Sequence, residues 1–235
     1  MEQPGPVIIE RRTALADAAS EWIAAAIVDT VQEFGRCSIA LSGGRAPMPV
    51  YARLCARRPY VPWWAVTACF GDERCVPPDQ RESNFRMADE LLLRHVPIPR
   101  AQILRMPGEA PDREVAARAY EGVLPDPIDI LLLGMGEDGH TASLFPGAPQ
   151  LAERERRVIP SDSPLPPHAR LTITPPVIAS ARRIAVIVTG GRKGPMVARA
   201  REGEYQPDVI PVQLAIRGTW FLGPEAASRL ARVSR

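Results

Sequence analysis

Between Asp129 and Gly147 the chain runs through Ile130-Leu131-Leu132-Leu133 straight into Gly134-Met135-Gly136-Glu137-Asp138-Gly139-His140. A run that is apolar at every position does not suit a half-wetted sheet. It fits a strand buried on both faces, as in a parallel sheet covered on either side. Parallel strands need crossovers of a dozen or more residues, usually helical. The remaining chain supplies that alternation, because the apolar runs at 37–41, 65–70 and 184–189 also end in polar, glycine-bearing turns.

The intervening stretches read as helices or short connections. Residues 13–34 carry apolar side chains at helical spacing, with Thr13 placed to cap and Gly35 to stop the helix. Helices are expected at 49–57, at 84–94 with Ser83 as cap, at 112–122, at 175–181, after Gly194 as far as Arg201 and at 224–231. Short strands are expected at 102–106 and 171–174, and a proline-rich loop at 160–167. Composition does not break along the chain and no repeat recurs. The expectation is therefore one α/β domain over residues 1–235: a single doubly wound, mostly parallel sheet with helices on both faces.

A formal net charge of +2 gives no support to a nucleic-acid surface, and no apolar run is long enough for a bilayer span. The first dozen residues lack the pattern of a signal peptide. Cys37, Cys55, Cys69 and Cys75 show neither C-x-x-C spacing nor paired histidines, so no metal site or disulfide framework is indicated. These features together point to the cytosol.

In a parallel sheet the carboxyl ends of the strands share one edge, which is where open α/β sheets bind ligands. The sequence brings Arg45, Arg74, Lys193 and either Arg182 or Arg183 to that edge as cations, with Asp72, Glu73, Asp138 and His140 as acid–base groups. Ser42-Gly43-Gly44 lies between a strand and a helix, where backbone N–H groups can cradle a phosphate, although the Lys-Ser/Thr of a Walker loop is absent. Each signal has a plainer reading alone: a capping histidine, a tight turn, solvated charge. Their recurrence at four strand ends points instead to a small anionic substrate with its reacting centre near His140.

Four segments, taken in order, resemble the 6-phosphogluconolactonase family: Leu41-Ser42-Gly43-Gly44; Gly71-Asp72-Glu73-Arg74-Cys75-Val76-Pro77 with Ser83-Asn84; the long run from Leu133 to Gly147; and Val188-Thr189-Gly190 with Lys193. The resemblance implies hydrolysis of 6-phosphoglucono-δ-lactone, a sugar-phosphate lactone, to 6-phosphogluconate in the oxidative pentose phosphate pathway, without a cofactor. It also implies His140 as general base and Arg74 as a substrate-binding, charge-stabilising residue. Asp138 or Asp72 would orient the imidazole or the water. Ser42, Gly43, Gly44, Arg45, Lys193 and Arg183 are the expected substrate and phosphate contacts. Lys193 departs from the family pattern in being followed by Gly194-Pro195, which could displace the helix start and the lysine's aim.

The related glucosamine-6-phosphate deaminases share the D-G-H turn but support its histidine with a Glu five residues later. Here that position is Phe145, and the deaminase D-E-Y is D-E-R. A sensor without catalysis would need the cations but not the base.

Overall fold

A computed structural model describes residues 4–231 of the chain. Its first half holds β1 (Val7–Ile9), α1 (Arg12–Phe34), β2 (Cys37–Leu41), α2 (Met48–Ala56), β3 (Val66–Phe70), β4 (Asp72–Arg74), α3 (Asn84–Leu91) and α4 (Arg113–Glu121). The second half holds β5 (Ile130–Leu133), β6 (Val158–Asp162), β7 (Ala169–Ile173), α5 (Pro175–Ser180), β8 (Arg183–Val188), α6 (Gly194–Glu202) and β9 (Thr219–Leu222). Six strands pair in the order β1-β9-β8-β5-β2-β3, every neighbour parallel.

This order explains where a ligand can enter. The chain winds outward from β2 to β3, then returns past β2 to β5 and continues through β8 to β9. With right-handed crossovers, such a reversal puts helices on both faces of the sheet and makes the loops after β2 and β5 leave in opposite directions. At the opposite edge the same two strands are clasped together. Ser38 donates both its N–H and its hydroxyl to Asp129 Oδ2, each at 2.7 Å, and Asp129 N–H returns to Ser38 Oγ at 2.9 Å.

α1 buries Leu15, Ala19, Ile23 and Ile27 and packs across β2, β5 and β9. It ends at Gly35, whose φ of 72° is the left-handed geometry that glycine adopts without penalty. Trp63, Trp220, Tyr51, Tyr120, Phe70 and Phe221 are the largest wholly buried side chains, each contributing on the order of 1.5–3 kcal/mol or more by leaving water. The two tyrosines also bring a hydroxyl to strand ends: Tyr120 accepts from Phe70 N–H at 2.7 Å.

A second, smaller sheet was not expected. β4, β7 and β6 form an antiparallel ribbon in the order β4-β7-β6, so Asp72-Glu73-Arg74 is a strand as well as the end of a turn. It hangs from the carboxyl edge of the main sheet, because Gly71 alone separates β4 from β3, and Gly71 bonds both Leu41 O and Ile173 N–H.

Five local expectations are corrected. The 102–106 segment forms only a single bridge, Ala68 to Ile103, rather than a strand. Residues 158–162 pair as β6 where a loop was expected from 160, because Pro160 lies on an edge strand with no hydrogen bond to lose. Residues 224–231 make successive turns rather than a helix. α1 starts at Arg12 after Arg11, with no side-chain cap, so Thr13 is inside the helix. The α3 helix stops at Leu91 and gives way to a short 3-10 turn, Leu93–His95, whereas Ser83 does cap it, accepting from Arg86 N–H at 3.1 Å. No helix among the described residues is long and apolar enough to cross a membrane.

Candidate active site

The loops after β2, β3, β5 and β8 enclose a cleft of about 650 Å³, within the range of small-molecule sites. Ser42, Gly43, Gly44, Arg45, Asp72, Arg74, Asp138, His140 and Lys193 all line it. Of the positions expected from sequence only Glu73, Arg182 and Arg183 lie outside this cavity, and His140 and Arg74 share the same space.

Arg183 does not belong there. It opens β8, so it lies at the amino edge of the sheet, where it pairs with Asp29 at 3.3 Å. Five residue steps of strand, roughly 16 Å, separate it from the carboxyl edge. Arg182 is held at the same far edge by Asp129 at 3.2 Å and lies over the Phe34 ring. Both arginines stand before the apolar run of β8, and in a parallel sheet that puts them at the amino edge.

The glycine loop is fixed by Tyr51. Its hydroxyl accepts Ser42 N–H at 2.9 Å and donates to Ser42 O at 2.8 Å, and burial pushes the phenol well above its ordinary value. Gly43 has no room for a side chain: a Cβ would fall 1.9 Å from Asn84 Oδ1. Asn84 in turn donates to Asp72 O at 2.9 Å and to Asp72 Oδ1 at 3.2 Å. Asn84 thereby braces the D-E-R segment through Asp72.

Asp72 and Glu73 are committed to structure. Asp72 Oδ2 accepts the Ser143 hydroxyl at 2.7 Å, tying β4 to the loop after β5. Glu73 is buried and accepts the backbone N–H groups of Arg74, Asn84 and Phe85 and the Ser83 hydroxyl. Burial pushes its carboxyl up, and the backbone donors oppose that shift. Four donors converging on one carboxylate at the start of α3 make it an anchor of the helix rather than an acid–base group in the cleft. The Arg74 guanidinium leans on Glu82 O at the rim.

His140 is carried on a turn closed by Gly136 N–H to His140 O at 2.9 Å and by Thr141 Oγ1 to Gly134 O at 2.8 Å. Its Nδ1 is 2.6 Å from Asp138 Oδ1, which also accepts His140 N–H at 3.1 Å. A carboxylate can only accept from Nδ1, so the proton is placed there and the Nε2 lone pair is left for chemistry. Burial would raise the Asp138 carboxyl, but its hydrogen bond and charge interaction with His140 outweigh this and hold it below the ordinary value. Of the two carboxylates considered from sequence, Asp138 is thus the one on the imidazole. Gly136 makes that contact possible, since a Cβ there would lie 2.1 Å from His140 Nδ1.

Lys193 ends a 3-10 turn immediately before α6, so the Gly194-Pro195 departure leaves it at the helix start and in the cleft. Its ammonium donates to Met135 O at 2.5 Å. Burial pushes its pKa below the usual lysine value; Glu137 opposes this and nearby Arg45 adds to it.

Phe145, read from sequence only as the replacement for the deaminase's carboxylate, has its ring centroid 4.8 Å from that of His140, whereas Ser143, three residues past the histidine, was missed. Also missed were residues 163–165, which reach the cleft from the β6–β7 turn and carry no chemical signal. Among the described residues no cluster of three or more His, Cys, Asp or Glu side chains could hold a metal ion.

A winding reversal with a glycine loop on one strand and an acid–imidazole pair on the next defines a doubly wound α/β protein with an acid–base site at its carboxyl edge. A family model described as glucosamine-6-phosphate isomerases/6-phosphogluconolactonase matches residues 10–221, and the chain belongs to that family. It is 36% identical over 233 residues to the 6-phosphogluconolactonase of Mycobacterium tuberculosis, covering 92% of this chain and 94% of that one. It is 35% identical over 200 residues to the human GDH/6PGL endoplasmic bifunctional protein, 81% of this chain but 25% of that protein's length. The structure of 6-phosphogluconolactonase from Trypanosoma brucei superposes with a TM-score of 0.83 at 29% identity, covering 98% of this chain and all of that one.

Proposed function

We propose that this chain hydrolyses 6-phosphoglucono-δ-lactone to 6-phosphogluconate, in a single domain, as the lactonase step of the oxidative pentose phosphate pathway. The observation that carries the reading is the Asp138–His140 contact at 2.6 Å in a cleft shared with Arg74 and the glycine loop. It is joined by membership of a family whose relatives include named lactonases.

A δ-lactone is an activated ester, so attack by water needs a base but no nucleophilic side chain. Nε2 of His140 takes a proton from water as the hydroxide oxygen adds to C1, and Asp138 balances the charge that appears on the ring. Arg74 lines the same cleft as the imidazole, and a cation there stabilises the oxyanion at C1 by on the order of 3 kcal/mol. As the intermediate collapses, the C1–ring-oxygen bond breaks and the imidazolium returns its proton to that oxygen. The phosphate is held at the other end by the N–H groups of the Ser42-Gly43-Gly44 loop and by Lys193 and Arg45.

Phe145 favours this reading over a deaminase, because an apolar ring stands against His140 where a deaminase places a supporting carboxylate. Four cysteines held as free thiols accord with a cytosolic compartment. The test is the rate of disappearance of freshly generated 6-phosphogluconolactone, with glucosamine 6-phosphate turnover run beside it. Lactone loss well above the spontaneous rate, reduced about 100-fold or more by His140→Ala, is expected. Turnover of the amino sugar alone would reject the proposal.

A further inference from the structure

We propose that Arg170, opposite Arg74 on the small sheet and outside the cleft lining, is a positioning residue for the substrate's anionic group: a buried cation, without an ion-pair partner among the described residues, that strengthens anion binding through Arg74. The inference rests on the lactonase reading for the identity of the substrate, though not for the geometry.

β7 is the middle strand of the small antiparallel sheet, and Arg170 is paired directly with Arg74 on one side and Ser161 on the other. Directly opposed residues project from the same face of a sheet, as do residues two apart on one strand. Asp72, Arg74, Arg170, Thr172 and Ser161 therefore share a face. The turn carrying His140 is seated on that face. Asp72 accepts the Ser143 hydroxyl at 2.7 Å, Thr172 Oγ1 accepts Ser143 N–H at 3.1 Å, and Ser161 Oγ donates to Ser143 O at 2.6 Å.

Each of those groups has a partner; the arginine does not. Arg170 is only 7% exposed, and its Nε and Nη1 are buried with no hydrogen-bond partner among the described residues. Neither nearby carboxylate pairs with it: Asp72 accepts from Ser143 and Asn84 and Glu73 from its four donors, so both reach the guanidinium only through space. Burial and the neighbouring Arg74 charge both push the guanidinium below its usual pKa. A buried guanidinium with no hydrogen-bonded ion pair and a second cation in the register position opposite makes folding harder. What relieves the arrangement is an incoming oxygen group with full or developing negative charge, which lowers the field of both cations at once.

The substrate offers that chemistry in two places, the phosphate monoester and C1, where the oxyanion develops and the product carboxylate remains. The experiment compares wild type with Arg170→Met and Arg170→Lys. It measures calorimetric binding of inorganic phosphate, gluconate and 6-phosphogluconate, and thermal unfolding without ligand. Arg170→Met is expected to weaken 6-phosphogluconate roughly tenfold or more, to unfold at the same or a higher temperature, and to regain most of the affinity as Arg170→Lys. Loss confined to phosphate assigns the charge to the monoester, and loss confined to gluconate assigns it to C1; either supports the proposal. Unchanged affinity for all three ligands overturns it, as does a lowered unfolding temperature in Arg170→Met that Arg170→Lys does not restore. The lactone assay on wild type separates the two readings, since activity with an unaffected Arg170→Met rejects this inference alone.

Discussion

Replacing Asp138 by Asn removes one charge from the acid–imidazole pair and almost nothing else. Asp138 Oδ1 accepts both His140 Nδ1–H at 2.6 Å and His140 N–H at 3.1 Å. A hydrogen bond to a charged group contributes roughly 1.5–3 kcal/mol. The two side chains are 34% and 43% exposed, so screening by solvent brings that to about 1–2 kcal/mol. The loss falls mainly on the transition state, where the imidazole has become a cation, and corresponds to roughly 5- to 30-fold in kcat. An asparagine that turns its amide nitrogen toward Nδ1 would also move the ring proton to Nε2 and take away the base, extending the loss toward about 100-fold. Initial rates of lactone hydrolysis, corrected for the spontaneous reaction, should therefore show kcat reduced about 10- to 100-fold with KM changed less than about threefold. A variant with kcat within about twofold of wild type would refute the assignment of Asp138 as the group that orients and balances His140.

Other substitutions probe neighbouring parts of the site. Gly136→Ala should displace the imidazole, given the 2.1 Å approach of a new Cβ to Nδ1, and lower kcat by about 100-fold in protein whose circular dichroism is unchanged. Lys193→Ala should raise KM for the phosphorylated lactone by about tenfold while leaving an unphosphorylated lactone nearly unaffected; equal effects on both would remove the lysine from phosphate recognition. The pH dependence of stability has a definite sign as well. The depressed Asp138 carboxyl contributes stability that is present above the ordinary aspartate value of ~3.9 and is lost as pH falls through its lower folded value. Wild type and Asp138→Asn should thus differ in unfolding temperature at pH 6 and converge once the pH has fallen below that lower folded value, as followed by calorimetry.

Strands β2, β3, β5 and β8 were legible because burial on both faces leaves a continuous apolar run, a signal that needs no partner to be read. β1, β4 and β6 were not: β1 is only three apolar residues long, β4 is wholly charged, and β6 mixes a proline and an acid with apolar residues. β1 and β4 exist through pairing with segments far along the chain, as Asp72 does with Thr172. The carboxyl-edge residues were legible for a related reason: a polar group directly after a buried strand has only one edge to occupy. Arg183 precedes its strand, and the same logic sends it to the opposite side. The role of Asp138 over Asp72 depended on a 2.6 Å contact that spacing alone does not encode.

The double hydrogen bond between Tyr51 and Ser42 has a kinetic corollary. A loop whose first residue is locked by a core phenol has little ordering left to lose when a ligand arrives, so the conformational cost of capture is met during folding. Such a mouth should accept substrate as a rigid receptor, at a rate set by diffusion and charge instead of by rearrangement of the loop.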